Sequence, residues 1–279
     1  MKRAGIIVNH DKEACLNLAK RLASYLNQKG VALLPGTRGD FWDARDLPNA
    51  EFSDHDIAFV IGGDGTLLSA GRSLAVSHIP ILGVNMGRVG FLAEVEPEQL
   101  LNAVDRLLLG EYSISERIML HCSVLRAGVE VDSYQAFNDA VINNGIDARM
   151  VDLDLSIDGQ AIHSYHADGI IVATPTGSTG YSFSAGGPVV LPDLNLMLVV
   201  PICPHTFFSR PIIAPPTSVV EIICRSSGVN TCLAADGQLR INIQPDDKIL
   251  IRVSDQRVKM VRLGEYSPLT RLKNKFNRI

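Results

Sequence analysis

The sequence predicts an α/β domain followed by an all-β domain, and three observations carry that expectation. Up to about residue 110, apolar runs of strand length alternate with stretches of helical periodicity. From about Ser113 helical periodicity becomes scarce, and short strand-like runs are separated by turn signals. The length of 279 residues suits two domains, although one large domain would also accommodate it. The expected division is 1–115 for the α/β part and 116–255 for a β-sandwich or similar layered sheet. Residues 256–279 form a tail that could pack back on the first part.

Gly5 to Val8 reads as a short strand. Asp11 is placed to cap a helix in which Cys15, Leu16, Leu18, Ala19, Leu22, Ala23 and Leu26 recur at helical spacing, closing near Gly30. Val31 to Leu34 is a second strand. Ile57 to Ile61 is continuously apolar, as a buried parallel strand should be, and is followed by Gly62-Gly63-Asp64-Gly65-Thr66 and a helix from Leu67 to about Ser77. Ile79 to Val84 is the next strand. Pro97 opens a helix closed by Gly110. Beyond Ser113, strand-like runs at Met119–Leu125, Val151–Ile157, Val219–Cys224, Leu239–Ile243 and Ile249–Val253 are punctuated by Ala127-Gly128, Asp158-Gly159, Ser226-Ser227-Gly228 and Pro245-Asp246-Asp247. The segment Thr174 to Pro192 stands apart, rich in Gly, Ser and Thr. Ser267 to Ile279 is basic and reads as a short helix or a loose tail.

Composition narrows the class. Hydrophobic residues are 46% and charged residues 20% of the chain, ordinary for a soluble globular protein. A net charge of −4 leaves no basic surplus for a nucleic-acid backbone. The apolar run after Met1 stops at Val8, too short for a secretory signal, and no stretch approaches a transmembrane span, so a cytosolic protein without a membrane partner is expected. The 5 cysteines contain no C-x-x-C pair and read as free, mostly buried thiols.

Three segments carry chemistry. Gly62-Gly63-Asp64-Gly65-Thr66 lies between a buried strand and a helix, where open α/β sheets bind ligands. Its glycines Gly62, Gly63 and Gly65, with Thr66, would let the backbone approach a phosphate at a helix N-terminus. A carboxylate is repelled by phosphate, so Asp64 calls for another role: proton acceptor, metal holder or simple helix cap. Asn138-Asp139 offers an amide and a carboxylate side by side, suited to a ribose diol or a base edge, although such pairs commonly just make turns. Thr174 to Pro188 sets six small hydroxyl residues around two glycine turns with Tyr181 inside. It could wrap a polyhydroxylated ligand or be a flexible loop. His166-Ala167-Asp168-Gly169 and the hairpin signal Ala235-Asp236-Gly237-Gln238 are more readily structural. His205 reads as a loop residue.

Taken together these segments resemble the bacterial NAD kinase family. The matches are GGDGTLL at 62–68, GVNMGRVGFLAEV at 83–95, ND at 138–139, HADGIIVATPTGSTGYSFSAGGPVV at 166–190 and PHTFFSRPI at 204–212. GGDGT alone is shared with other kinases; the TPTGSTGYS segment with SAGGP is much more specific. The resemblance implies a Rossmann-like α/β domain, a C-terminal β-sandwich domain that binds NAD, and an active site in the cleft between them. It implies transfer of the γ-phosphate of ATP to the 2′-hydroxyl of the NAD adenosine ribose, with Mg²⁺ accompanying ATP, in a homodimer or homotetramer. Asp64 would be the proton acceptor and Gly65 its ligand-contacting neighbour. Asn138 and Asp139 would hold the ribose or base, and His166 and Asp168 would contact the dinucleotide. Thr176, Thr179, Gly180, Tyr181, Ser182, Phe183 and Ser184 would line the NAD pocket, with Arg149 and Gln238 as softer transfers. The chain departs from the family pattern at Asp139, often Glu; at Gly180, often Ala; and at His166, often Arg. A lipid kinase shares GGDGT but would need an apolar channel. A non-catalytic sensor gains nothing from Asp64. A dehydrogenase would need G-x-G-x-x-G after the first strand.

Overall fold

The computed structural model describes residues 1–34, 36, 41–44, 47, 54–87, 90–145, 150–206, 209–226, 231–264 and 273. The chain runs β1 (Arg3–Val8), α1 (Glu13–Gln28), β2 (Ala32–Leu33), β3 (Trp42–Asp43), β4 (Ile57–Gly62), α2 (Asp64–Ala75), β5 (Ile81–Asn85), α3 (Leu100–Leu109), β6 (Ser113–Arg126) and β7 (Val129–Ala136). It continues β8 (Asp139–Asn143), β9 (Val151–Ile157), β10 (Gln160–Ala167), β11 (Gly169–Ala173), the short α4 (Tyr181–Ser184), β12 (Met197–Ile202), β13 (Ile212–Ala214), β14 (Val220–Ser226), β15 (Cys232–Ala235), β16 (Leu239–Asn242) and β17 (Lys248–Arg262). Two compact units result: Met1–Arg117 with Gln256–Ile279, and Ile118–Asp255. The basic segment 267–279 lies outside the described residues except for Lys273, and Arg149 also lies outside them.

In the first unit β4 pairs in parallel with β1 and β5, and β1 pairs in parallel with β2 and β3. The C-terminal part of β17 pairs in parallel with β5, Met260 opposite Ile81. Every residue of β4 is buried, as its unbroken apolar run requires of a strand covered on both faces. On one face Ile6, Val8, Phe59, Ile61, Leu82 and Val84 join Leu22, Leu26, Val104 and Leu107 of α1 and α3 in one cluster. On the other, α2 packs against β4 and β5. The periodic residues Cys15, Ala19, Leu22 and Leu26 are the buried side of α1. Asp11 does not cap this helix: the N-cap position is Lys12, with no side-chain cap bond. Pro97 begins a 3₁₀ turn that leads into α3, and Gly110 closes α3 with φ 78°, the left-handed conformation that suits glycine.

The second unit consists of two antiparallel sheets. One has the order β10-β9-β14-β17, with β6 paired to β17 and β7; the other has the order β13-β12-β11-β8-β15-β16. Their inner faces share one core, with Leu120, Cys122, Leu153, Leu155, Ile222 and Ile251 from the first and Ile142, Ile170, Val172, Val199 and Leu233 from the second. The second sheet is also covered on its outer face, where Val190 joins Val141, Ile171, Leu198 and Val200. That accounts for the uninterrupted burial of β11 and β12. The turn signals sit where they were expected: Ala127-Gly128 (φ 49° and 82°), Asp158-Gly159 (52° and 75°) and Asp236-Gly237 (51° and 66°) all adopt left-handed pairs. The strands are longer than their apolar cores suggested, because β6 and β17 run 14 and 15 residues. No described helix is long and apolar enough to cross a membrane.

At the end of β17 the Arg262 guanidinium meets the Glu94 carboxylate at 2.9 Å, their side chains only 4% and 6% exposed, and the Leu263 N–H donates to the same carboxylate at 3.0 Å. Breaking a buried pair strands a charge, which typically costs about 3–5 kcal/mol. Glu94→Ala should lower the unfolding free energy by about that amount in a denaturant titration.

Candidate functional site

The Gly-rich turn after β4 forms as its residue types require. Gly63 is the N-cap of α2, and its carbonyl accepts the Thr66 and Leu67 N–H groups at 3.0 and 3.2 Å. A side chain on Gly62 would collide with Thr66, whereas Gly63 faces open space. The start of α2 is therefore open at Gly63, where an anion could approach the helix N-terminus. Gly65 is exposed and Thr66 half-buried.

Asp64 is the first residue of α2, and its carboxylate does not cap the helix. It reaches to a neighbouring loop and accepts the Phe91 N–H at 3.1 Å and the Leu92 N–H at 3.4 Å. Gly90 makes this possible, since any side chain there would overlap the Asp64 carboxylate. Each carboxylate oxygen accepts one of these bonds and keeps further lone-pair capacity for a proton or a hydroxyl. Asp64 and the loop 90–92 thus form one substructure of the first unit. The role of Gly90 escaped the residue-by-residue reading, because its partner is 26 positions away.

In the second unit the remaining segments converge on Asn138 and Asp139. Asn138 closes the break between β7 and β8, and Asp139 is the first residue of β8. On one side, Thr174 donates its backbone N–H to the Asn138 carbonyl at 2.8 Å and its hydroxyl to the Phe137 carbonyl at 2.7 Å. Gly177 lies so close that a Cβ would fall within the van der Waals envelope of the Asn138 carbonyl. On the other side stands Asp236, from the β15–β16 turn. Its carboxylate accepts the N–H groups of Phe137, Asn138 and Asp139 at 3.0, 2.6 and 3.2 Å, and its own N–H donates to the Asp139 carbonyl at 2.9 Å. From the sequence, Asp236 reads only as part of a turn. The Asp-Gly signal was legible; its three bonds to residues almost a hundred positions away were not.

The Gly/Ser/Thr segment is ordered. Thr176–Thr179 is a 3₁₀ turn and Tyr181–Ser184 one short helix. Ser178 is fully buried; its hydroxyl donates to the Pro175 carbonyl at 2.7 Å and accepts the Val190 N–H at 3.0 Å. Thr179 donates to the Thr176 carbonyl at 3.5 Å. Ser182 is fully buried, packed against Gly187, rather than on the open wall of a pocket. Phe183 and Ser184 are exposed. Three buried polar atoms in these segments, Asn138 Oδ1, Thr176 Oγ1 and Ser182 Oγ, have no partner among the described residues. Unmatched buried polar atoms are uncommon and are expected where a ligand or ordered water completes the set.

Asn138, Asp139, Tyr181, Asp236 and Arg240 are among the residues that line a pocket of about 370 Å³, within the usual range for small-molecule sites. Tyr181 is 44% exposed there, its phenol pushed up by burial and by Cys203, Asp168 and Asp139 nearby. Asp139 is 6% exposed, and burial first, then the adjacent Asp236, raises its carboxyl to about 7. A Cβ on Gly180 would sit 3.2 Å from the Gly177 carbonyl, 3.6 Å from Asn138 Nδ2 and 3.7 Å from Asp139 Oδ2, so an alanine there would need only a small adjustment. His166 and Asp168 are both exposed. The His166 ring lies 2.7 Å from Asp152, an acid that would weigh against phosphate binding there. Gln238 is exposed at the hairpin, its N–H on the Ala235 carbonyl at 3.0 Å. Among the described residues no cluster of three or more His, Cys, Asp or Glu could hold a metal.

Residues 42–112 match the model of the ATP-NAD kinase N-terminal domain, and residues 137–263 that of the ATP-NAD kinase C-terminal domain. The chain is 39% identical over 270 residues to an NAD kinase of Heliobacterium modesticaldum, covering 95% of each. It is 36% identical over 285 residues to one of Geotalea daltonii, covering 99% of each. An NAD kinase from Archaeoglobus fulgidus solved with ATP superimposes with a TM-score of 0.79 at 28% identity, covering 99% of both chains. A yeast NADH kinase solved with NADH gives a TM-score of 0.85 at 22% identity, covering 100% of this chain and 87% of that one, a likeness of fold.

The contact of Gly177 with Asn138 yields a sharp expectation. Gly177→Ala should displace the Asn138–Asp139 edge and lower kcat/KM by about 100-fold or more, while Gly180→Ala stays within about 5-fold, as steady-state kinetics would read.

Proposed function

We infer that this chain, which belongs to the NAD kinase family, transfers the γ-phosphoryl group of ATP to the 2′-hydroxyl of the adenosine ribose of NAD, giving NADP. The observation that carries this reading is the convergence of Asn138, Asp139 and Tyr181 on one pocket, with Thr174 and Gly177 packed behind the Asn138 carbonyl, in a chain whose two parts match the two domains of ATP-NAD kinases.

The chemistry assigned to the residues is as follows. The ribose 2′-oxygen forms a bond to the γ-phosphorus, and the bond from that phosphorus to the bridging oxygen of ADP breaks. Asp64 takes the hydroxyl proton; the lone-pair capacity left after its bonds to Phe91 and Leu92 supports that role. Those two bonds also fix the carboxylate in place, and positioning supplies most of the catalysis in phosphoryl transfer. The open helix start at Gly63 supports a place for phosphate. Mg²⁺ bound to ATP would offset charge on its phosphates. Such an ion needs few protein ligands, which suits a chain without a ready-made acidic cluster among its described residues. Asn138, with its unmatched carbonyl oxygen, and Asp139 are assigned to the NAD ribose or base, and Tyr181 to a ring. Five free cysteines support a reducing, cytosolic setting. Exposed Phe183, Val189, Leu191, Leu194 and Ile213 support a homo-oligomer.

The test is formation of NADP from NAD, ATP and Mg²⁺, detected with an NADP-specific dehydrogenase. Asp64→Asn should still bind NAD and lose about 10²–10⁴-fold in turnover. The variant amide also presents an N–H₂ to one of the two loop N–H groups, so NAD affinity must be measured beside turnover. Near-normal turnover would remove Asp64 from the base role. Tyr181→Ala should raise the NAD Michaelis constant more than it lowers kcat, and an unchanged constant would sink the ring contact.

A further inference from the structure

Asp139 and Asp236 bring two carboxyl groups to one wall of the NAD pocket, an arrangement that a dinucleotide site has to accommodate, because the dinucleotide carries two phosphates of its own. The two residues differ in how they are held. Asp236 receives three backbone N–H bonds, which supply the donors a buried carboxylate needs. Asp139 is the more deeply buried of the two and has Asp236 as its charged neighbour. The other groups near this pair are the Cys122 thiol on β6, which burial first and then both carboxyls push upward, the Tyr181 phenol on α4 and the Arg240 guanidinium on β16.

We propose that Asp236 is a positioning residue of the NAD site: it fixes the Asn138–Asp139 edge through the backbone and, by its charge, keeps Asp139 a neutral acid that can donate a hydrogen bond to NAD. The inference rests on the NAD kinase reading and adds a division of labour to it. A neutral Asp139 presents an O–H as well as an acceptor oxygen, and it spares the pocket a second negative charge when a ligand carrying two phosphates is bound. Burial is the larger cause of the raised Asp139 carboxyl, near 7, and Asp236 is the second. Raising the pH through that value ionises Asp139 and removes both the donor and the neutrality. NAD affinity should therefore be full on the acid side and fall on the alkaline side. Removing the Asp236 charge makes ionisation easier, so the fall should begin at lower pH.

The experiment is NAD binding by calorimetry across pH, on the full chain and on two variants. For the wild type the dissociation constant should rise roughly 5- to 10-fold from about pH 6.5 to about pH 8. Asp139→Asn should flatten that profile, since an amide has no proton to lose. Asp236→Asn, which retains one acceptor oxygen, should move the break to lower pH. It should also raise the NAD Michaelis constant roughly 3- to 10-fold, the worth of about one hydrogen bond, and affect kcat less. Each profile is read within one protein, so a general loss of stability would not imitate a displaced break. A break that persists in Asp139→Asn, or an unmoved break in Asp236→Asn, would overturn the proposal while leaving the kinase reading intact. Failure of the wild type to bind NAD at any pH would overturn that reading and this inference with it.

Discussion

Three consecutive backbone N–H groups, those of Phe137, Asn138 and Asp139, end on the single carboxylate of Asp236. Phe137 and Asn138 lie between the end of β7 and the start of β8, and Asp139 is the first residue of β8, so the chain is at the strand-end edge of its sheet here, and a buried N–H without an acceptor is costly. From the opposite side Thr174 satisfies the Phe137 and Asn138 carbonyls. The site in the second unit depends on this pair of clamps. They come from a hairpin and from the Gly/Ser/Thr segment, far apart in the chain, and they leave the Asn138 and Asp139 side chains directed to the pocket.

How far the sequence could be read follows from the range of each interaction. The alternation of helix and strand in the first unit, the unbroken apolar run of β4, and the Asp-Gly turns are local patterns, and all three were legible. Asp64 and the Asn138-Asp139 pair stood out as local segments, and the chemistry assigned to them came from family resemblance. What could not be read were contacts that join distant segments. Gly90 is a glycine because Asp64 must pass it, and Gly177 because the Asn138 carbonyl lies against it. Asp236 looked like a turn former because its side-chain use is decided by a strand break that the turn does not announce. The long ends of β6 and β17 were also missed, since their polar residues hide an extended backbone that only sheet pairing reveals.

The hydroxyl-rich segment shows how composition leaves the separate tasks within one segment unresolved. Its residues were grouped as a ligand wrap or a loose loop. In the fold they divide: Thr174 and Ser178 spend their hydroxyls on backbone groups, Val190 fills the outer face of a sheet, and Tyr181 faces the pocket. A short polar segment can thus serve as covering layer, clamp and pocket wall together, because small hydroxyl side chains satisfy the backbone of tight turns without taking up core volume.

Of the five cysteines, only Cys203 is exposed. Burial raises the thiols of the other four, making them poor nucleophiles at neutral pH as well as inaccessible. Cys203 stands near the Tyr181 ring. The molecule therefore comes with a native attachment point for a thiol-directed fluorophore, so that occupancy of the pocket could be followed by emission without engineering a cysteine-free background.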